Sequence, residues 1–207
     1  MKEHEIRSCI YRCINYLCGF IPALESQKKR FLWMTNKCRI NIIGKNEAPY
    51  IVQKFWVNEK TAAHVSLKCM SQVADIRPYF YKGEIFSPVP LLVIRQEITC
   101  SGLLHEISHL LSTGFYYPTN DGFVHKRGII CEEHRWEENS LRLLSANGDV
   151  RTNECLTDLC AEELFRYIYP EGSFLRNERY FSFLENHPEL DRREAVEKYL
   201  SDNILKE

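Results

Sequence analysis

The sequence predicts an α+β fold in one domain, residues 1–207, in which a small mixed sheet packs on a central helix and a second helix with a polar stripe follows it. Three observations predict it. β-Branched and aromatic runs gather between residues 36 and 98, apolar residues at helical spacing dominate residues 1–35 and 99–207, and no repeat or linker composition separates these regions. With 207 residues, 44% of them hydrophobic, the chain can bury one sizeable core.

In chain order, residues 3–18 and 23–34 read as amphipathic helices parted by Pro22. Cys9 and Cys13 fall beside Ile6, Ile10 and Leu17 at helical spacing, so they read as small buried residues and not as a ligand pair. Lys28-Lys29-Arg30, the densest basic run, reads as a solvated helix face. Arg39–Ile43 and residues 50–57 read as strands about a turn at Gly44-Lys45-Asn46, and residues 61–73 as a helix. Residues 79–86 and 91–95 read as further strands, with Pro88 and Pro90 between them. The next helix spans residues 100–112. Residues 114–153 read as a long connection forming the far wall of a cleft, and Asn153 opens a helix that runs through Ile168.

Composition narrows the function classes. A net charge of −1 gives no electrostatic reason to bind nucleic acid or a membrane surface. No run approaches the ~18 apolar residues of a membrane span. The N-terminus carries both signs of charge and is interrupted by Arg7, Arg12 and Asn15, unlike a secretion signal. Nine cysteines, an odd and scattered set, fit reduced thiols, so the expected compartment is the cytoplasm.

The chemistry concentrates in His105-Glu106-Ile107-Ser108-His109. On a helix, residues four apart sit one above the other, so His105 and His109 can share one ion with Glu106 beside it. Three fixed letters in five also arise by chance. Here Leu103, Leu104, Ile107, Leu110 and Leu111 surround the motif at helical spacing, and a polar stripe in such a setting is costly unless its members are paired. A third ligand lies downstream. Glu154 and Asp158 are again four apart, so one carboxylate can bind the ion while the other accepts the second ring N–H of a ligand histidine. The competing reading is an acidic helix start favoured by the helix dipole. Glu162 and Glu163 read as surface charge, or as the ligand in a shifted register.

His-Glu-x-x-His followed by Asn-Glu-x-x-Thr-Asp resembles the motif pair of thermolysin-like zinc peptidases, the gluzincins. The resemblance covers the two motifs, and the separation between His109 and Glu154 is longer than in thermolysin. It implies a zincin-like fold, one Zn2+ held by His105, His109 and Glu154, Glu106 as general base, Asp158 as orienter of a ligand histidine, and a peptide or protein substrate. It further implies an edge strand beside the motif helix to which an extended peptide adds, here Leu91–Arg95 or the strand before it. The motif helix also resembles that of small repressor-cleaving peptidases of the ImmA/IrrE type, which usually carry Gly where this chain has Ser108. The extended zincin pattern fails, because Ser112 and Phe115 stand where it needs Gly and His.

A hydrolase of this kind also needs a donor for the developing oxyanion. Tyr116, Arg127 and Tyr180 are the candidates, with Tyr117, Asp121, His125, His134 and His187 in the same regions. His125 or His134 is also a possible further ligand. The alternatives to a general peptidase are a non-catalytic metal-binding protein that retains a zincin fold and a dedicated effector or regulatory protease of the ImmA/IrrE type.

Overall fold

The computed structural model describes residues 1–44, 71–74, 79–81, 84–86, 91–137 and 140–201. Helix α1 (Glu3–Phe20) buries Ile6, Ile10, Cys13, Ile14 and Leu17, the three-and-four spacing of one helical face. Glu5 accepts the Lys2 N–H (2.6 Å) and closes its first turn. Pro22 then starts a short 3₁₀ turn (Pro22–Gln27) before α2 (Lys28–Lys37), so residues 23–34 are two elements and not one helix.

Arg30 corrects the expectation of a solvated basic face. It is 2% exposed. Its guanidinium donates to the carbonyls of Leu111 (2.8 Å) and Leu200, both in the last turns of helices, and of Thr113 at the start of the strand that follows.

Strands β1 (Arg39–Ile43), β2 (Ser71–Ala74) and β5 (Leu91–Arg95) form a three-stranded mixed sheet, with β5 central, parallel to β1 and antiparallel to β2. This revises two expectations. Helical periodicity assigns residues 71–73 to a helix, yet Gln72 lies opposite Val93 in the ladder, so strand pairing overrides that periodicity. Leu91–Arg95 is a candidate edge strand from the sequence, yet it has a neighbour on each side. The near-continuous apolar run Leu92-Val93-Ile94 suits that buried central place. Within residues 79–86, strands β3 (Tyr79–Tyr81) and β4 (Glu84–Phe86) pair antiparallel. The expected turn residues Lys45 and Asn46, the strand at 50–57, the remainder of 61–73, and Pro88 and Pro90 lie outside the described residues.

Helix α3 (Cys100–Ser112) starts at Thr99, whose hydroxyl accepts the Gly102 N–H (3.1 Å). It buries Leu103, Leu104, Ile107, Leu110 and Leu111 and lies against β2 and β5. The segment after α3 is not a long connection. Strands β6 (Thr113–Pro118), β7 (Gly122–Arg127), β8 (Ile130–Glu137) and β9 (Ser140–Asn147) make an antiparallel four-stranded sheet in chain order. Its buried face mixes Phe123 and Ile130 with His125, Glu132 and His134, so the apolar alternation that marks a strand is masked by polar residues. Gly128, at φ +60°, leads the two-residue β7–β8 loop and donates its N–H to Ser112 (3.0 Å), tying the hairpin to the end of α3.

Helix α4 (Val150–Ile168) is capped by Asp149, which accepts the Thr152 N–H (2.8 Å), so it begins before Asn153. Glu154 and Asp158 therefore lie inside the helix and are not its acidic first turn. Helices α5 (Glu178–Asn186) and α6 (Arg192–Leu200) are the last described elements. One apolar cluster joins α1, α2, β5, α3, α4 and α6, so the two motif helices are fixed by the same core. The architecture is α+β. Among the described residues no helix is long and apolar enough to cross a membrane.

Candidate metal centre

Helices α3 and α4 pack face to face, each turning a four-residue polar pair toward the other. Within this contact His105, His109 and Glu154 each offer one ligand atom within 4.8 Å of the others. The two Nε2 atoms are 3.1 Å apart. His105 Nε2 is 3.6 Å from Glu154 Oε2, and His109 Nε2 is 3.5 Å from Glu154 Oε1. Each imidazole thus faces a different oxygen of the one carboxylate, and separations of 3.1 to 3.6 Å are short enough for all three side chains to reach one ion with bonds of about 2.1 Å. The cluster is partly open to solvent, the Glu154 side chain being 28% exposed.

The groups behind the ligands fix their tautomers. Asp158 Oδ1 accepts the His105 Nδ1–H (2.7 Å), which leaves the Nε2 lone pair aimed into the cluster. Asp158 Oδ2 accepts from Asn177 Nδ2 (2.8 Å), while Asn177 Oδ1 accepts the Tyr180 N–H (2.8 Å) and caps α5. Both carboxylate oxygens are thereby engaged. Thr157 does the same for His109 at longer range, its Oγ1 lying 3.5 Å from His109 Nδ1. The Thr157 hydroxyl donates to the Asn153 carbonyl (2.8 Å) and accepts from Tyr199 (2.7 Å). Two Nε2 lone pairs facing each other beside a carboxylate repel unless a cation or proton lies between them, and this donor set suits zinc.

Electrostatics agree with that geometry. Burial disfavours a charged His105, but hydrogen bonds to Asp158 and Glu154 and the nearby Glu106 charge outweigh it and raise its pKa to about 10. Burial likewise works against an ionised Glu154, yet pairing with His105 and His109 holds it well below the usual carboxylate range. Glu106 itself is buried beside His105.

Asn153 and Thr157 carry no assigned role in the sequence reading, although both belong to the second motif. Asn153 Oδ1 accepts the Ile129 N–H (3.0 Å), holding the β7–β8 turn against α4. Tyr199, fully buried on α6, and Asn177, before α5, carry no local pattern that signals their role.

Other expected residues are placed elsewhere. The Tyr180 hydroxyl is buried and donates to Glu162 (2.7 Å), so it is not aimed at the cluster. Arg127 pairs with Glu132 (3.2 Å), which also receives His134 (3.2 Å). His125 and His134 lie in the buried face of the β6–β9 sheet and are not part of the ligand cluster. Asp121 pairs with Arg135 (2.6 Å), and His187 Nδ1 donates to the Phe183 carbonyl (2.9 Å). The side chains of Tyr116 and Tyr117 lie outside those described.

Glu162 and Glu163 are buried, contrary to the surface reading. Arg166, Arg176 and Arg192 converge on Glu162, and Arg166 and Arg192 also reach Glu163. They brace α4 against α6 and are not alternative ligands.

No family model, curated protein or solved structure matches this chain.

Proposed function

We propose that the protein is a zinc-dependent peptidase in which His105, His109 and Glu154 hold the ion and Glu106 is the general base. The observation that carries this reading is the convergence of both Nε2 atoms and the Glu154 carboxylate, with Asp158 and Thr157 fixing the imidazoles from behind. Zinc in such a site supplies Lewis acidity and makes a water nucleophilic near neutral pH.

The chain's own groups then do the rest. Glu106 takes the proton of the attacking water and passes it to the leaving amine. Asp158 keeps His105 in the Nδ1–H tautomer throughout. Strand β2, at the sheet edge among the described residues and alongside α3, offers backbone groups with which an extended peptide pairs. This moves the substrate strand from Leu91–Arg95 and the strand before it, residues 79–86, to β2, part of a segment whose periodicity reads as helix, and a zincin-like fold is part of the same proposal.

The test is a search for new N-termini in a proteome treated with wild-type or Glu106→Gln protein. Cleavage by wild type alone supports the peptidase. Equal profiles from two zinc-loaded proteins favour a metal-binding protein without catalysis.

A further inference from the structure

Arg179 stands apart from its neighbours. Arg166, Arg176 and Arg192 are all engaged by Glu162 or Glu163. The Arg179 guanidinium, 46% exposed, has among the described residues one ion-pair neighbour, Glu154 Oε2 at 3.8 Å. That distance lies within Coulombic reach but beyond a hydrogen bond, so among the described residues no hydrogen bond engages its N–H donors beside the cluster.

Its position is fixed from two sides. Asn177 joins Asp158 to the α5 backbone, and Cys155 Sγ lies 3.9 Å from the Arg179 carbonyl it donates to. The first turn of α5 is thus pinned to the ligand-bearing turn of α4, and the positive end of the α5 dipole adds to the Arg179 charge.

We infer that Arg179 binds a carboxylate of the substrate next to the bond that is cut. The inference rests on the peptidase reading above. Glu154 is already engaged by both imidazoles, so it does not neutralise Arg179 fully. A planar guanidinium fork matches a carboxylate through two parallel hydrogen bonds, whereas a neutral carbonyl leaves the cation uncompensated. The carboxylate has two sources, the free C-terminus of a peptide or an acidic side chain.

The test reads binding as well as turnover. Zinc-loaded wild-type and Arg179→Gln proteins are titrated with short monohydroxamates of dicarboxylic acids, each paired with its uncharged primary-amide analogue. Wild type is expected to favour the acid by about tenfold, and Arg179→Gln to bind both alike. Hydroxamates that bind wild type without distinguishing acid from amide overturn the inference and leave the metal reading standing. Protein that takes up no zinc overturns both. A peptide library with free or amidated C-termini, and with Asp or Asn and Glu or Gln beside the scissile bond, separates the sources. Loss of cleavage on amidation assigns the terminus, loss on side-chain neutralisation assigns the side chain, and indifference to both overturns the inference.

Discussion

Replacing Asp158 by Asn tests how much of the metal affinity comes from behind the ligands. Asp158 accepts two hydrogen bonds, from His105 Nδ1 at 2.7 Å and from Asn177 Nδ2 at 2.8 Å. An amide has only one acceptor end. With its oxygen toward His105, its NH₂ meets the Asn177 NH₂; reversed, it meets the His105 N–H. Asn177 cannot turn over to relieve this, because its oxygen caps α5 through the Tyr180 N–H. Either orientation leaves a donor-to-donor contact in a buried place, which costs about 1–3 kcal/mol. Zinc affinity of Asp158→Asn should therefore fall about 10- to 100-fold, the range for such orienting partners. Competition with a chromophoric chelator measures it, with thermal unfolding of the zinc-free variant as a control for folding. A folded variant that binds zinc as tightly as wild type would refute the argument that Asp158 orients His105.

The same geometry sets three further outcomes. At Gly128, φ is +60° and an added Cβ would collide with Asn153 Oδ1 and the Tyr199 ring, so Gly128→Ala should lose about 2–4 kcal/mol in urea unfolding; unchanged stability would contradict this. Glu162 has its pKa lowered from 4.5 to about 2, against the cost of burial, by Arg176, Tyr180 and Arg192. Its contribution is complete above pH 4.5 and is lost as pH falls toward about 2, a shift worth about 2 kcal/mol once screening at the partly exposed guanidinium groups is allowed for. Glu162→Gln should flatten the acid limb of the stability curve, and an unchanged limb would count against the brace. His105, raised to about 10, holds a proton at pH 7 that zinc must displace. Calorimetry in buffers of different ionisation enthalpy should show about one proton released per zinc, and no buffer dependence would argue against that protonated state.

The site was largely legible because its parts obey one local rule. His105 with His109, and Glu154 with Asp158, are each four apart on a helix, and their convergence needs only that α3 and α4 pack together. The groups that complete the site escape that rule. Asn177, Arg179 and Tyr199 reach α4 from the loop before α5, from α5 and from α6, at separations no periodicity encodes. Arg30 and Glu162 were misplaced for the same reason, since charge suggests exposure and their partners lie far along the chain. The β6–β9 sheet was hidden because His125, Glu132 and His134 occupy positions where alternation calls for apolar residues. Strand β2 was misread because a four-residue strand is decided by pairing with β5 more than by its own composition.

The most direct test of the central claim is the zinc content of metal-replete protein purified without chelators. One zinc per wild-type chain, none in folded His109→Ala or Glu154→Ala, and one retained in Glu106→Gln is the predicted pattern. Wild type without stoichiometric zinc, or undiminished zinc in Glu154→Ala, would contradict it.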